Sequence, residues 1–166
     1  VWKDKVYRSL IDELSLDITW EEMLEDYIES FQNYCFGFDG LFETLEYIKE
    51  LNLKLGIITN GFAKFQMNNI RGLKIDSYFD EILISELEGV RKPEIEIFTR
   101  AVNRLGIEPH EAIYVGDHPV NDVEASIRAG MIGVWKENKY FDKPSVNCLS
   151  IKNLEQLINI LESISE

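Results

Sequence analysis

From residue 53 onward, short apolar runs alternate with amphipathic helical stretches, and no other feature of the chain restricts its fold as much. Residues 53–59, 81–85, 112–116 and 131–135 read as strands, rich in β-branched side chains and bounded by turn residues. Residues 64–71 (closed by Gly72), 94–105 (stopped by Gly106) and 120–129 (ended by Gly130) read as the helices between them. A weak edge strand near 146–149 and a helix over 153–164 complete the series. Strands joined through helices pair in parallel, with helices covering both faces. The expected class is therefore α/β, with a doubly wound parallel sheet.

The leading residues follow a different pattern. Residues 2–14 carry Val6, Tyr7, Leu10, Ile11 and Leu14 at helical spacing. Thr19 and Glu22 then spell a capping box, with Ile18 and Met23 at the positions of a hydrophobic staple. The next helix places Met23, Leu24, Tyr27, Ile28 and Phe31 on one face, and a third helix (41–51) follows the turn Phe38-Asp39-Gly40. Trp2, Trp20 and Tyr27 read as helix packing. Two helices with no strand between them form a small helical element over 1–36, ahead of a sheet-bearing core over 37–166. Val1 is not a methionine and the opening residues already look helical, so the expectation is that residues upstream have been lost.

A chain of 166 residues can bury a real core. Its formal net charge of -13 argues against nucleic acid as a partner, because binding neutralises phosphates with Lys and Arg. Cys35 and Cys148 lack metal-ligand spacing; free thiols in a reducing cytoplasm are the simplest account, with a single disulfide as the alternative. No run is apolar enough for a membrane span, and no signal-peptide pattern opens the chain.

Three strand ends carry polar residues suited to chemistry. Thr59-Asn60-Gly61 offers a hydroxyl and turn amides that either cradle phosphoryl oxygens or form a plain strand-to-helix turn. Arg91-Lys92-Pro93 offers an ammonium, with Pro93 expected at the first position of a helix. Gly116-Asp117-His118-Pro119-Val120-Asn121-Asp122 brings two carboxylates past a strand end, where open α/β sheets bind ligands. Asp117 and Asp122 suit a hard cation such as Mg²⁺. His118 reads as loop filler or a supporting donor, and Glu86 and Glu88 as solvated.

In order and spacing, these three segments and the Ala129-Gly130-Met131 turn resemble the second, third and fourth motifs of the haloacid dehalogenase-like hydrolase superfamily. The resemblance runs from about Phe38 to the end, and the leading helices resemble part of that family's helical cap on a Rossmann-like core. It implies a Mg²⁺-dependent phosphoric monoester hydrolase working through an aspartyl-phosphate on a small phosphorylated metabolite, a nucleotide or sugar phosphate. It also implies that Thr59, Asn60 and Gly61 bind the phosphoryl group, that Lys92 offsets its charge, and that Asp117 and Asp122 hold the metal.

The family's first motif, an apolar strand followed by Asp-x-Asp, does not occur in the chain. Phe38-Asp39-Gly40-Leu41 copies its spelling but lacks the preceding strand and the second aspartate. The expectation is a missing central strand between residues 53–59 and 112–116, and no turnover by these residues alone. Other readings are a non-catalytic binding protein, a phosphoacceptor signalling domain on the same sheet architecture, or, less favoured, a haloacid dehalogenase.

Overall fold

The structure, a computed structural model, describes residues 2–165. Among the described residues, eight α-helices and five strands follow in the order α1 (Trp2–Leu14), α2 (Trp20–Ser30), α3 (Leu41–Glu50), β1 (Gly56–Thr59), α4 (Ala63–Gly72), β2 (Glu81–Ile84), α5 (Ser85–Glu88), α6 (Ile95–Leu105), β3 (Ile113–Gly116), α7 (Ala125–Arg128), β4 (Ile132–Lys136), β5 (Leu149–Ile151) and α8 (Gln156–Ser165). Contacts divide the chain into two compact units: the segment up to Phe36 with Lys64–Asp76, and Gly37–Ala63 with the chain from Ser77 onward.

In the first unit, Thr19 caps α2 as its sequence spells. Glu22 N–H donates to Thr19 Oγ1 at 3.2 Å, and Thr19 N–H donates to Glu22 Oε2 at 2.8 Å. Tyr27 stacks on Phe65 with ring centroids 5.1 Å apart, Phe31 packs 5.3 Å from Phe65, and Asn68 Nδ2 donates to Ile28 O at 3.1 Å. Arg8 lies over the Trp20 ring, 4.7 Å from its centroid, while the side chain of Trp2 is outside those described. The apolar stripe of α1 is only partly covered: Tyr7 and Ile11 are half-buried, whereas Val6, Leu10 and Leu14 are exposed.

In the second unit every strand pairing is parallel. β1 pairs with β2 from Gly56↔Glu81 to Thr59↔Ile84, β3 with β4 from Ile113↔Ile132 to Gly116↔Trp135, and β4 with β5 from Val134↔Leu149 to Lys136↔Ile151. These make two pieces, β1-β2 and β3-β4-β5, and β1 is not paired with β3. One core side chain spans the interruption: Tyr114 Oη approaches Ile58 O at 3.5 Å.

Helices cover both faces. Ile97, Phe98, Ala101 and Val102 of α6 pack with Ile58, Leu83, Ala125 and Met131, while Ile48 of α3 and Leu157 of α8 pack with Val134 and Ile151. Strand alternation assigns Tyr114 to the α6 side and Ile113 and Val115 to the other. Tyr114 therefore meets Phe98 edge-on, with centroids 5.0 Å apart at 71°.

Several boundaries move for local reasons. β1 starts at Gly56 because Leu55 N–H donates to Asp80 Oδ2 at 2.8 Å and Leu55 O accepts from Asp80 N–H at 2.9 Å, which replaces a strand ladder. Pro93 precedes α6, whose N-cap is Glu94, and the Lys92–Pro93 peptide is cis. The edge strand forms around buried Ile151, later than expected. The helix after β3 begins as a π-helical turn, Pro119–Glu124, in which Asp122 N–H and Val123 N–H both donate to His118 O, at 3.0 and 3.4 Å.

Candidate active site

The C-terminal ends of β1 and β3 meet through side chains. Asn60 and Lys92 form a reciprocal pair: Asn60 Nδ2 donates to Lys92 O, and Lys92 N–H donates to Asn60 Oδ1, each at 2.9 Å. This fixes the backbone of the Arg91-Lys92-Pro93 turn beside the end of β1. The Lys92 side chain crosses to β3, where Nζ sits 2.6 Å from Asp122 Oδ1 and 3.0 Å from Tyr114 Oη. Thr59, half-buried, ends β1 immediately before Asn60.

Asp122 is held from three directions. Besides Lys92, Tyr114 Oη lies 3.4 Å from its Oδ1, and His118 N–H donates to Oδ2 at 3.0 Å. Gly116 makes room for it by close approach: a Cβ there would fall 2.3 Å from Asp122 Cβ and 2.6 Å from Cγ. Any side chain at 116 would displace the carboxylate. His118 is a capping residue, its Nδ1 accepting from Asn121 N–H at 3.1 Å while its ring packs 4.6 Å from Phe141.

Asp117 is exposed. Its Oδ2 accepts from Asn138 Nδ2 at 2.8 Å, and its backbone carbonyl accepts from Trp135 Nε1 at 3.0 Å. Burial pushes the Tyr114 hydroxyl pKa well up, and the negative charges of Asp122 and Asp117 push it further. Tyr114 is thus a neutral donor at the base of the site.

Not every sequence-level candidate has its partners free. Gly61 N–H donates to Ser85 Oγ at 3.0 Å, so donation to a phosphoryl oxygen would require that bond to be exchanged. Its φ of 145° suits glycine. Glu88, expected to be solvated, has a side chain only 8% exposed, paired with Arg104 at 2.9 Å and Arg100 at 3.2 Å. The i, i+4 spacing of the two arginines on α6 aims both at it. Glu86, exposed, accepts from Ala63 N–H at 2.7 Å. Sequence reasoning missed Tyr114, whose signal was a hydroxyl on an otherwise aliphatic strand. It also missed Asn138, which carries no motif.

A family model for haloacid dehalogenase-like hydrolases matches residues 3–135, most of the chain. The chain belongs to the haloacid dehalogenase-like hydrolase family. It is 34% identical over 139 residues to a glyceraldehyde 3-phosphate phosphatase of Methanopyrus kandleri, covering 80% of this chain and 60% of that protein. It is 30% identical over 149 residues to a pyrimidine 5'-nucleotidase of Escherichia coli, covering 86% of this chain and 66% of that one. The crystal structure of a haloacid dehalogenase-like phosphatase from Thermococcus onnurineus superposes with a TM-score of 0.75 at 30% identity, covering 93% of this chain and 69% of that one. The chain thus spans 60% of the length of the Methanopyrus relative. With the family assigned, the phosphoacceptor reading loses its support. Among the described residues, no helix is long and apolar enough to cross a membrane.

Proposed function

We propose that the protein carrying this chain is a Mg²⁺-dependent phosphoric monoester hydrolase acting on a small phosphorylated metabolite. The observation that carries this reading is the Lys92–Asp122 pair, 2.6 Å apart, at the joined ends of β1 and β3, with Asp117 one residue past the end of β3. The family and its phosphatase-named relatives support it.

The donor set fits the metal chemically. Asp117 and Asp122 offer oxygen donors, the kind Mg²⁺ takes while retaining waters that phosphate oxygens can replace. When bound there, the ion would supply charge neutralisation and polarisation of a phosphoryl oxygen. Lys92, fixed by Asn60, Asp122 and Tyr114, would set its side-chain nitrogen beside the reacting group. The Thr59 hydroxyl would donate to a phosphoryl oxygen, with Asn60 and Gly61 shaping the turn that carries it.

Covalent catalysis also needs a nucleophile. Asp117 is the only aspartate within two residues of the C-terminal end of any described strand, and this reading assigns it to the metal. The attacking carboxylate would therefore come from a strand between β1 and β3 that the described residues do not supply. It would form an acyl phosphate as the alcohol leaves, and water would then release inorganic phosphate. In this reading residues 1–36 are part of a helical cap, 37–166 are the core, and the substrate is a sugar or nucleoside phosphate. A cytoplasmic setting agrees with Cys35 and Cys148, both free thiols.

The test is phosphate release by the full-length protein from glyceraldehyde 3-phosphate and from pyrimidine nucleoside 5'-monophosphates, with Mg²⁺ and with chelator. Mg²⁺-dependent release from either substrate supports the reading. Release undiminished by chelator contradicts the metal's role.

A further inference from the structure

We infer that Asn138 is a positioning residue for Asp117, setting the orientation of its carboxylate and with it the affinity of the proposed metal site. The inference rests on the reading of Asp117 and Asp122 as metal ligands. Asp117 is exposed and follows a strand end, a place where a carboxylate would rotate freely. It does not. Asn138 Nδ2 holds its Oδ2 at 2.8 Å, and the Asn138 amide is itself oriented, because its Oδ1 accepts from Tyr140 N–H at 2.8 Å. Those two bonds fix which end of the amide faces the carboxylate. The donor is therefore a neutral N–H, which restrains Asp117 without neutralising it.

The chain around Asn138 is fastened to the turn after β3 on both sides. Trp135 Nε1 donates to Asp117 O at 3.0 Å, Phe141 packs 4.6 Å from the His118 ring, and the N–H and Oγ of Ser145 donate to Glu124 Oε1 at 3.0 and 2.7 Å. Asp117 and Asp122 are thus restrained by different elements: Asp122 by Lys92, Tyr114 and its own turn, and Asp117 by the segment after β4. A hydrogen bond that orients a metal-binding carboxylate typically contributes about 10–100-fold in metal affinity.

The experiment is a Mn²⁺ titration of the full-length protein, read by electron paramagnetic resonance of free Mn²⁺, with thermal melting in the absence of metal as a control. Asn138→Ala should weaken Mn²⁺ binding by about 10–100-fold with little change in metal-free melting. Asn138→Ser, which keeps a donor, should fall between Asn138→Ala and the parent. Binding by Asn138→Ala within about twofold of the parent overturns the inference. A fall in melting temperature matched by equal weakening in both variants overturns it too, since that outcome marks a merely structural residue. If the parent itself binds no Mn²⁺, the metal-site reading fails first, and the parent titration alone reports that.

Discussion

Lys92 and Asp122 form an ion pair that is almost dry. Their charged atoms are 2.6 Å apart, and their side chains are only 13% and 7% exposed. Removing one partner of such a pair leaves a charge buried without compensation, at a cost of about 3–5 kcal/mol. Lys92→Met should lower stability in urea by that order, and adding Asp122→Asn should recover part of the loss. A single variant no less stable than the parent would mean that water reaches Asp122 freely.

Gly116 is required by space. With a Cβ at 116 placed 2.3 Å from Asp122 Cβ, Gly116→Ala must push the two apart. Overpacking of this kind costs about 1–3 kcal/mol. Urea denaturation should show that loss, and a change within about 0.5 kcal/mol would place Asp122 elsewhere.

Acid should loosen the start of α2. Hydrogen bonds from the Thr19 backbone N–H and then its hydroxyl hold the Glu22 carboxyl below its ordinary value of 4.5. A depressed folded-state value contributes stability above the ordinary pKa, and that contribution is lost as pH falls through the folded value. The melting advantage of the parent over Glu22→Gln should therefore shrink between about pH 6 and pH 3. An advantage that stays constant over that range would contradict the capping box.

Much of this was legible beforehand. The alternation after residue 53 specifies parallel pairing, and every observed pairing is parallel. The box at Thr19 and Glu22 is local chemistry that tertiary context does not override. What escaped depends on distant partners. The Asn138–Asp117 bond spans 21 residues and the pairing of Asn60, itself legible in its motif, with Lys92 spans 32, so neither bond leaves a local pattern. The burial of Glu88 follows from two arginines a helix later. The π-helical opening after β3 reflects reciprocal bonding between His118 and Asp122, which no periodicity encodes.

In the full-length protein, Asp117→Asn keeps the shape of the side chain and removes its charge. Under the proposed chemistry it should lower Mg²⁺-dependent phosphate release by roughly a hundredfold or more, several kcal/mol of barrier. Initial rates across a Mg²⁺ titration would show this, and an unchanged metal dependence would remove Asp117 from the site.

The central claim is that residues 1–166 carry the phosphate and metal side of the reaction, while the nucleophile enters on a strand between β1 and β3. Phosphate release from an aryl phosphate with Mg²⁺, measured in parallel for the 166-residue chain and for the protein bearing an Asp-x-Asp strand ahead of it, tests this directly. The account predicts turnover by the longer protein and none by the 166-residue chain. Sustained Mg²⁺-dependent turnover by the 166-residue chain would contradict it, because the nucleophile would then lie among the residues already described.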